Sequence, residues 1–133
     1  VGVDTDISTS PLDVGWAVPI SKKAADFIGK RSLSRRHDIE TGRLQLVGLK
    51  PKDNDKFIPV GSHVIKRPGL WPEGHITSSC ISPTLGYSIA MAMLKSGHTR
   101  TGETVVIDVD KQHFEAEVVP LGFYDPKGAR INA

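Results

Sequence analysis

Several groups of residues have types and spacings that chemistry can use. Gly97-His98-Thr99-Arg100-Thr101-Gly102-Glu103-Thr104 carries two glycines at the spacing of a phosphate-binding loop. Glu103 stands where such a loop needs lysine, and its carboxylate repels phosphate. The segment also leads into a strand pattern rather than a helix, so it reads as a turn. Ser78, Ser79, Cys80 and Ser82 are candidate nucleophiles, and His37, His63, His75, His98 and His113 are candidate bases. No Gly-x-Ser-x-Gly elbow surrounds a serine, and Cys80 sits in no local thiol-enzyme signature. These side chains read as strand and turn hydroxyls beside a buried structural thiol, and the sequence assigns no catalytic residue. No two histidines have the three- or four-residue spacing of a local metal clamp, so no metal site is expected. Lys30, Arg31, Arg35, Arg36 and His37 form a basic run that reads as a solvated helix face rather than a nucleic-acid grip. Arg130 could pair bidentately with a carboxylate, just after the Asp-Pro-Lys-Gly turn of residues 125–128.

The elements that must position these groups are mostly short strands. Residues 13–19 suggest a brief strand around Trp16–Val18, closed by Pro19, and Trp16 reads as core. Ser21 then caps a short turn over residues 22–25. Asp26 caps a helical piece from Phe27 to about Arg36, with Gly29 weakening its first turn. After Gly42 the pattern breaks into strands at residues 44–49, 62–67, 75–79, 87–94, 104–109 and 113–119. Residues 87–94 fit helix on Ala and Met content, but the turn spacing favours strand. The last two strands form a hairpin across Asp110-Lys111-Gln112, with Phe114, Ala116 and Val118 on one face. The expected fold is mainly β: a small antiparallel, Greek-key-like six-stranded barrel with a short N-terminal helical segment. One domain spans residues 1–133, with a lead-in strand and helix over 1–40 and the barrel over 41–133.

Composition narrows the function classes. The 133 residues suffice for one domain with a modest core. A net charge of +2 is too small to imply nucleic acid or an acidic membrane as partner. No apolar run reaches the roughly 18 residues of a spanning helix. The single cysteine excludes an internal disulfide and fits a reducing, cytoplasmic compartment. The first residue is Val1, and there is no signal-peptide pattern. The chain is expected to be a fragment of a larger one.

Five segments occur together in a recognisable order. They are Asp26-Phe27-Ile28-Gly29-Lys30-Arg31-Ser32-Leu33, Leu46-Val47-Gly48-Leu49, the stretch from Gly74-His75-Ile76-Thr77-Ser78-Ser79 through Ser82-Pro83-Thr84-Leu85-Gly86-Tyr87, Gly102-Glu103-Thr104-Val105, and Phe123-Tyr124-Asp125-Pro126-Lys127-Gly128. This order resembles the C-terminal barrel domain of the glycine-cleavage T-protein (aminomethyltransferase) superfamily, from about Pro11 to Arg130. Within it, the Phe-Tyr-Asp-Pro-Lys-Gly-Ala-Arg ending and the Gly-His-Ile-Thr-Ser-Ser form resemble the C-terminal end of heterotetrameric sarcosine oxidase alpha subunits. Leu46 stands where the transferase often has a basic residue, which favours the oxidase branch.

The resemblance implies a division of labour. The one-carbon unit from oxidative demethylation of sarcosine meets tetrahydrofolate and gives 5,10-methylenetetrahydrofolate, largely in domains upstream of such a barrel. FAD, FMN and NAD are implied only for the intact oxidase complex, and the chain has no Gly-x-Gly-x-x-Gly of its own. The implied partners are the upstream folate-binding domains and the other oxidase subunits, with neither nucleic acid nor membrane. This chain alone is expected to be non-catalytic. Its folate-pocket candidates are Tyr124, Arg130 and His75, chosen for their chemistry and segment. The open alternatives are the same barrel in an aminomethyltransferase or a dimethylglycine dehydrogenase relative, and a stand-alone barrel that binds RNA or protein.

Overall fold

Alternating apolar residues from Leu44 onward, punctuated by glycine and proline, produce six strands that close on themselves. The computed structural model describes residues 3–39, 41–110 and 112–130, without the side chains of residues 18, 19, 21, 34 and 36–39. The strands are β1 (Leu44–Pro51), β2 (His63–Ile65), β3 (Gly74–Ser82), β4 (Tyr87–Lys95), β5 (Thr104–Val109) and β6 (Gln112–Val119). They form a closed barrel in the order β1-β4-β3-β2-β5-β6, and every pairing is antiparallel. Strands β2, β3 and β4 make a meander and β1 returns beside β4, which is a Greek key. Closure leaves the sheet without an edge.

The core is filled by one face of each long strand. Leu49, Ile58, Ile76, Leu94, Ile107 and Val118 are fully buried. On β4 the face turned inward is the small one, Ser88, Ala90 and Ala92, followed by Leu94. A narrow barrel has room for few large side chains. Two polar contacts brace the core: the Ile58 N–H donates to Ser88 Oγ (3.3 Å), and the His98 N–H donates to Gln45 Oε1 (2.9 Å).

A bulge in β3 changes which residues face out. Ile76 opposes Ala92, but Ser78, not Thr77, opposes Met91. Thr77 is the extra residue, and its hydroxyl donates to the Met91 carbonyl (3.2 Å). A one-residue shift reverses the two faces beyond it. Cys80 therefore lies opposite Ile89 on the outside and is exposed, which corrects the expectation of a buried thiol.

The chain before Leu44 departs most from the sequence reading. Residues 17–22 form a helix, α1 (Ala17–Lys22), not a strand. Pro19 lies in its first turn, where a missing N–H breaks no helical bond. Trp16 is 62% exposed and is not core. The second helix, α2 (Lys30–Ile39), begins three residues later than expected. Gly29 has φ +93°, outside the helical region, and among the described residues the Asp26 carboxylate accepts the adjacent Phe27 N–H (3.0 Å). That bond does not cap a helix, because it reaches none of the unpaired donors further along. The strand expected over 62–67 shortens to β2, with both Val64 and Ile65 buried. The β5–β6 hairpin is tighter than expected: Val109 pairs with Gln112, and Asp110 has φ +45°. Lys111, in that turn, lies outside the described residues. The glycine-flanked segment at 97–104 is a 3₁₀ turn, Gly97–Thr99, followed by β5, as a turn reading requires.

Candidate functional site

The outer face of β3, β4 and β1 gathers most of the residues of interest. Met93 lies between Leu46 and His75, Met91 between Gly48 and Ser78, and Ile89 beside Cys80. The described N-terminal and C-terminal segments both reach this face.

The N-terminal segment is fixed over the first row by Asp13, which is fully buried. Arg43 Nε donates to Asp13 Oδ1 (2.9 Å) and Oδ2 (3.1 Å), and Arg43 Nη2 also donates to Asp13 Oδ2. The Ser10 N–H donates to Asp13 Oδ2 (2.8 Å), and the Leu46 N–H donates to the Asp13 carbonyl (2.8 Å). Burial pushes the Asp13 carboxyl up, but the hydrogen bonds from Arg43 and Ser10 outweigh it and leave the group below its ordinary value. Asp6 organises the preceding turn. Its Oδ1 accepts from the Ser8 hydroxyl (2.6 Å) and N–H (2.7 Å), and from the Thr9 N–H and hydroxyl (3.0 Å each). These bonds, Ser8's first, lower its pKa to about 2. Between this segment and the sheet is a cavity of about 350 Å³ lined by Asp4, Asp6, Arg43, Leu44, His75 and Met93 among others.

The C-terminal segment covers the next rows. Phe123 crosses Gly48 so closely that a Cβ there would lie 2.9 Å from its Cζ. Leu121, Phe123, Met91, Ile89, Ser78 and Cys80 line a second, largely apolar groove of about 350 Å³. Beyond Phe123 the Asp125 carboxylate accepts the N–H groups of Ala129 and Arg130 (2.9 Å each). This turn folds Arg130 back, with its guanidinium 4.9 Å from the centre of the Tyr124 ring. Tyr124 is half-exposed and Arg130 exposed.

The structure thus brings two of the three sequence candidates together. Tyr124 and Arg130 are in contact, whereas His75 lines the N-terminal cavity, to which neither contributes. Sequence reading missed Asp13 and Arg43, 30 residues apart, because nothing local marks them as partners. It also missed a row that the sheet assembles from scattered residues. Asp108 is paired across β2, β5 and β6 with both His63 and His113, and His113 Nε2 lies 3.4 Å from Asp108 Oδ1. Among the described residues, no group of three or more His, Cys, Asp or Glu side chains is arranged to hold a metal ion. In the basic run, Lys30 Nζ donates to the carbonyls of Lys23 (3.0 Å) and Ala25 (3.3 Å), while the side chains of Arg36 and His37 lie outside the described residues. Arg100, in the glycine-flanked segment, holds Glu103 through two bonds (2.7 and 2.9 Å) and pairs with Glu73 (2.9 Å). No described helix is long and apolar enough to cross a membrane.

A closed, antiparallel six-stranded Greek-key barrel, with both terminal segments laid over one outer face, defines a small β-barrel domain. Comparison with known proteins makes this specific: the family described as "Glycine cleavage T-protein C-terminal barrel domain" matches residues 45–125, and the chain belongs to it. The chain is 35% identical over 98% of its length to sarcosine oxidase subunit alpha from Corynebacterium sp. strain U-96, but spans 14% of that protein. It is 36% identical over 92% of its length to aminomethyltransferase from Thermosipho melanesiensis, and spans 32% of it. The crystal structure of glycine cleavage system aminomethyltransferase T from Bartonella henselae superposes with a TM-score of 0.72 at 22% identity, covering 92% of this chain and 34% of that one. That likeness supports the fold.

Proposed function

We propose that this chain is the C-terminal barrel of a sarcosine oxidase alpha subunit. In this reading it supports the region where tetrahydrofolate receives the one-carbon unit of sarcosine as 5,10-methylenetetrahydrofolate. The observation that carries the reading is the length relation: the chain aligns almost throughout with a sarcosine oxidase alpha subunit yet spans only 14% of it. Flavin and nicotinamide chemistry, with FAD, FMN and NAD, belongs in this reading to the rest of the complex. So does the acid that activates folate. The barrel contributes a wall, and cofactor pockets are commonly built where domains meet.

Tyr124 and Arg130 are the proposed folate contacts, with His75 secondary. Tyr124 offers a half-exposed ring, and Arg130 a guanidinium for a glutamate carboxylate. Their contact, 4.9 Å from guanidinium to ring centre, presents the two groups side by side. The test is a chimera in which this chain replaces the matching C-terminal part of the Corynebacterium alpha subunit. The expected result is tetrahydrofolate binding that weakens about tenfold on Arg130→Ala, the loss of one charge-assisted contact of roughly 1.4 kcal/mol. Unchanged affinity in both Arg130→Ala and Tyr124→Ala would remove these residues from the pocket. An aminomethyltransferase barrel is the second reading, favoured by the 36% identity to the Thermosipho enzyme. A chimera active only in the transferase would select it.

A further inference from the structure

We propose that the excursion from residue 14 to residue 42, which carries α1 and α2, is a cationic arm that docks an acidic patch on another protein. The chain leaves the sheet at Asp13 and returns at Arg43, and the ion pair between these two residues closes the excursion at its neck. Between them no described residue is buried, so the arm is held at its base rather than by packing of its helices. Charge is segregated onto it. Residues 16–36 hold six of the chain's 17 lysines and arginines but one of its 15 aspartates and glutamates. The net charge of +2 therefore divides into +5 on this stretch and −3 on the rest of the chain. Folding does not neutralise the excess: among the described residues Lys22, Lys23, Arg31 and Arg35 are exposed and pair with no carboxylate. Arg31 and Arg35 are four residues apart in α2 and share one side of it, as two planar forks suited to carboxylates. Large apolar groups stand among these cations. Trp16 and Ile28 are exposed, and the Lys23 ammonium lies 5.2 Å from the centre of the Phe27 ring. Tryptophan and arginine are the residue types enriched where protein interfaces bind most strongly. The class of partner follows from this mixture. A phosphate backbone or an anionic bilayer is an extended surface that also meets the rest of the chain, whose net charge is negative. A protein patch of carboxylates with apolar side chains between them meets the arm alone and matches both of its components. The proposal is independent of the folate reading, since Tyr124 and Arg130 lie in the C-terminal segment.

The test titrates the 133-residue chain into fluorescein-labelled probes and follows their anisotropy. The probes are a peptide of Glu-Glu-Leu repeats, one of Glu-Glu-Gln repeats and an oligothymidylate of the same length, with phosphatidylglycerol vesicles as a fourth. The Glu-Glu-Leu peptide is expected to bind with a Kd on the order of 100 μM at about 50 mM salt, and about fivefold more weakly at about 300 mM. The Glu-Glu-Gln peptide is expected to bind about threefold more weakly, because it offers Trp16 and Ile28 no apolar contact. In the unsubstituted chain, the amide NMR shifts caused by the Glu-Glu-Leu peptide are expected within residues 16–35 and not in the barrel. Arg31→Glu with Arg35→Glu is expected to weaken binding about tenfold, and Trp16→Ala about threefold. These positions are exposed, so the barrel resonances should stay in place. Lys56→Glu with Lys127→Glu makes the same change in net charge at exposed positions outside the arm, and is expected to leave the Kd within about twofold. Absence of binding to the Glu-Glu-Leu peptide, shifts located in the barrel instead of the arm, or an equal loss in the Lys56 and Lys127 control would overturn the proposal. Tighter binding to oligothymidylate or to the vesicles would overturn it in favour of nucleic acid or membrane.

Discussion

Replacing Asp13 by Asn tests how the N-terminal segment is held. Asp13 is fully buried and the Arg43 side chain 12% exposed, so the pair lies where screening is weak. Asn keeps the shape and can still accept from the Ser10 N–H, but it removes the charge opposite Arg43. Removing one partner of a buried pair costs about 3–5 kcal/mol, chiefly because the other charge stays behind. Arg43 retains the Ser8 carbonyl at 2.7 Å, which places the expected loss near the low end, at about 3 kcal/mol. With a urea slope of about 2 kcal/mol/M, the midpoint should fall by roughly 1.5 M. Because an apolar pair avoids the stranded charge, Asp13→Leu with Arg43→Met should recover more than half of the loss. The pH dependence has a definite sign. The folded pKa of Asp13 lies below the ordinary aspartate value of 3.8. Its contribution is therefore fully present above about pH 5 and is lost as pH falls through 3.8 toward the folded value. Urea curves for both proteins between pH 2.5 and 7 measure this. A loss below about 0.5 kcal/mol at pH 7, or a difference between the proteins that does not shrink in acid, would refute the reasoning.

Other consequences follow from the same geometry. Leu49→Ala, at a fully buried position, should cost about 2–5 kcal/mol in urea unfolding. Gly48→Val should cost about 1–3 kcal/mol and displace the C-terminal segment, since a Cβ would meet Phe123 Cζ, Pro120 O and Val119 O at 2.9 Å. Shifted Phe123 and Tyr124 ring resonances would show that displacement. Arg100→Met strips the counter-charge from Glu73 and Glu103, both partly exposed, so a loss near 1 kcal/mol is expected. Cys80 is exposed and should react with a thiol reagent in the native chain within about tenfold of its unfolded rate. Protection beyond a hundredfold would restore the buried-thiol reading.

The barrel was legible in the sequence because each strand carries its own face pattern. Phe114, Ala116 and Val118 alternate with Glu115 and Glu117, and β6 places Ala116 and Val118 in the core. Turn residues marked the ends, as at Ser82-Pro83-Thr84 between β3 and β4. Cys80 was misassigned because the bulge at Thr77 changes register without any compositional mark. The lead-in was misread because none of the described side chains of α1 and α2 is fully buried, so no apolar period fixes their ends. Tyr124 and Arg130 were legible as one segment, and their contact depends on Asp125 folding the chain back. The Asp13–Arg43 anchor is a long-range pairing that no local pattern encodes.

The central claim, that this barrel completes a folate-dependent enzyme without performing its chemistry, is tested most directly by calorimetric titration of the 133-residue chain with tetrahydrofolate, with sarcosine turnover assayed on the same preparation. The account predicts no binding tighter than about 1 mM and no turnover, since a single pocket wall recovers too little contact to offset the cost of association. Micromolar binding, or measurable oxidation of sarcosine by the chain alone, would contradict it.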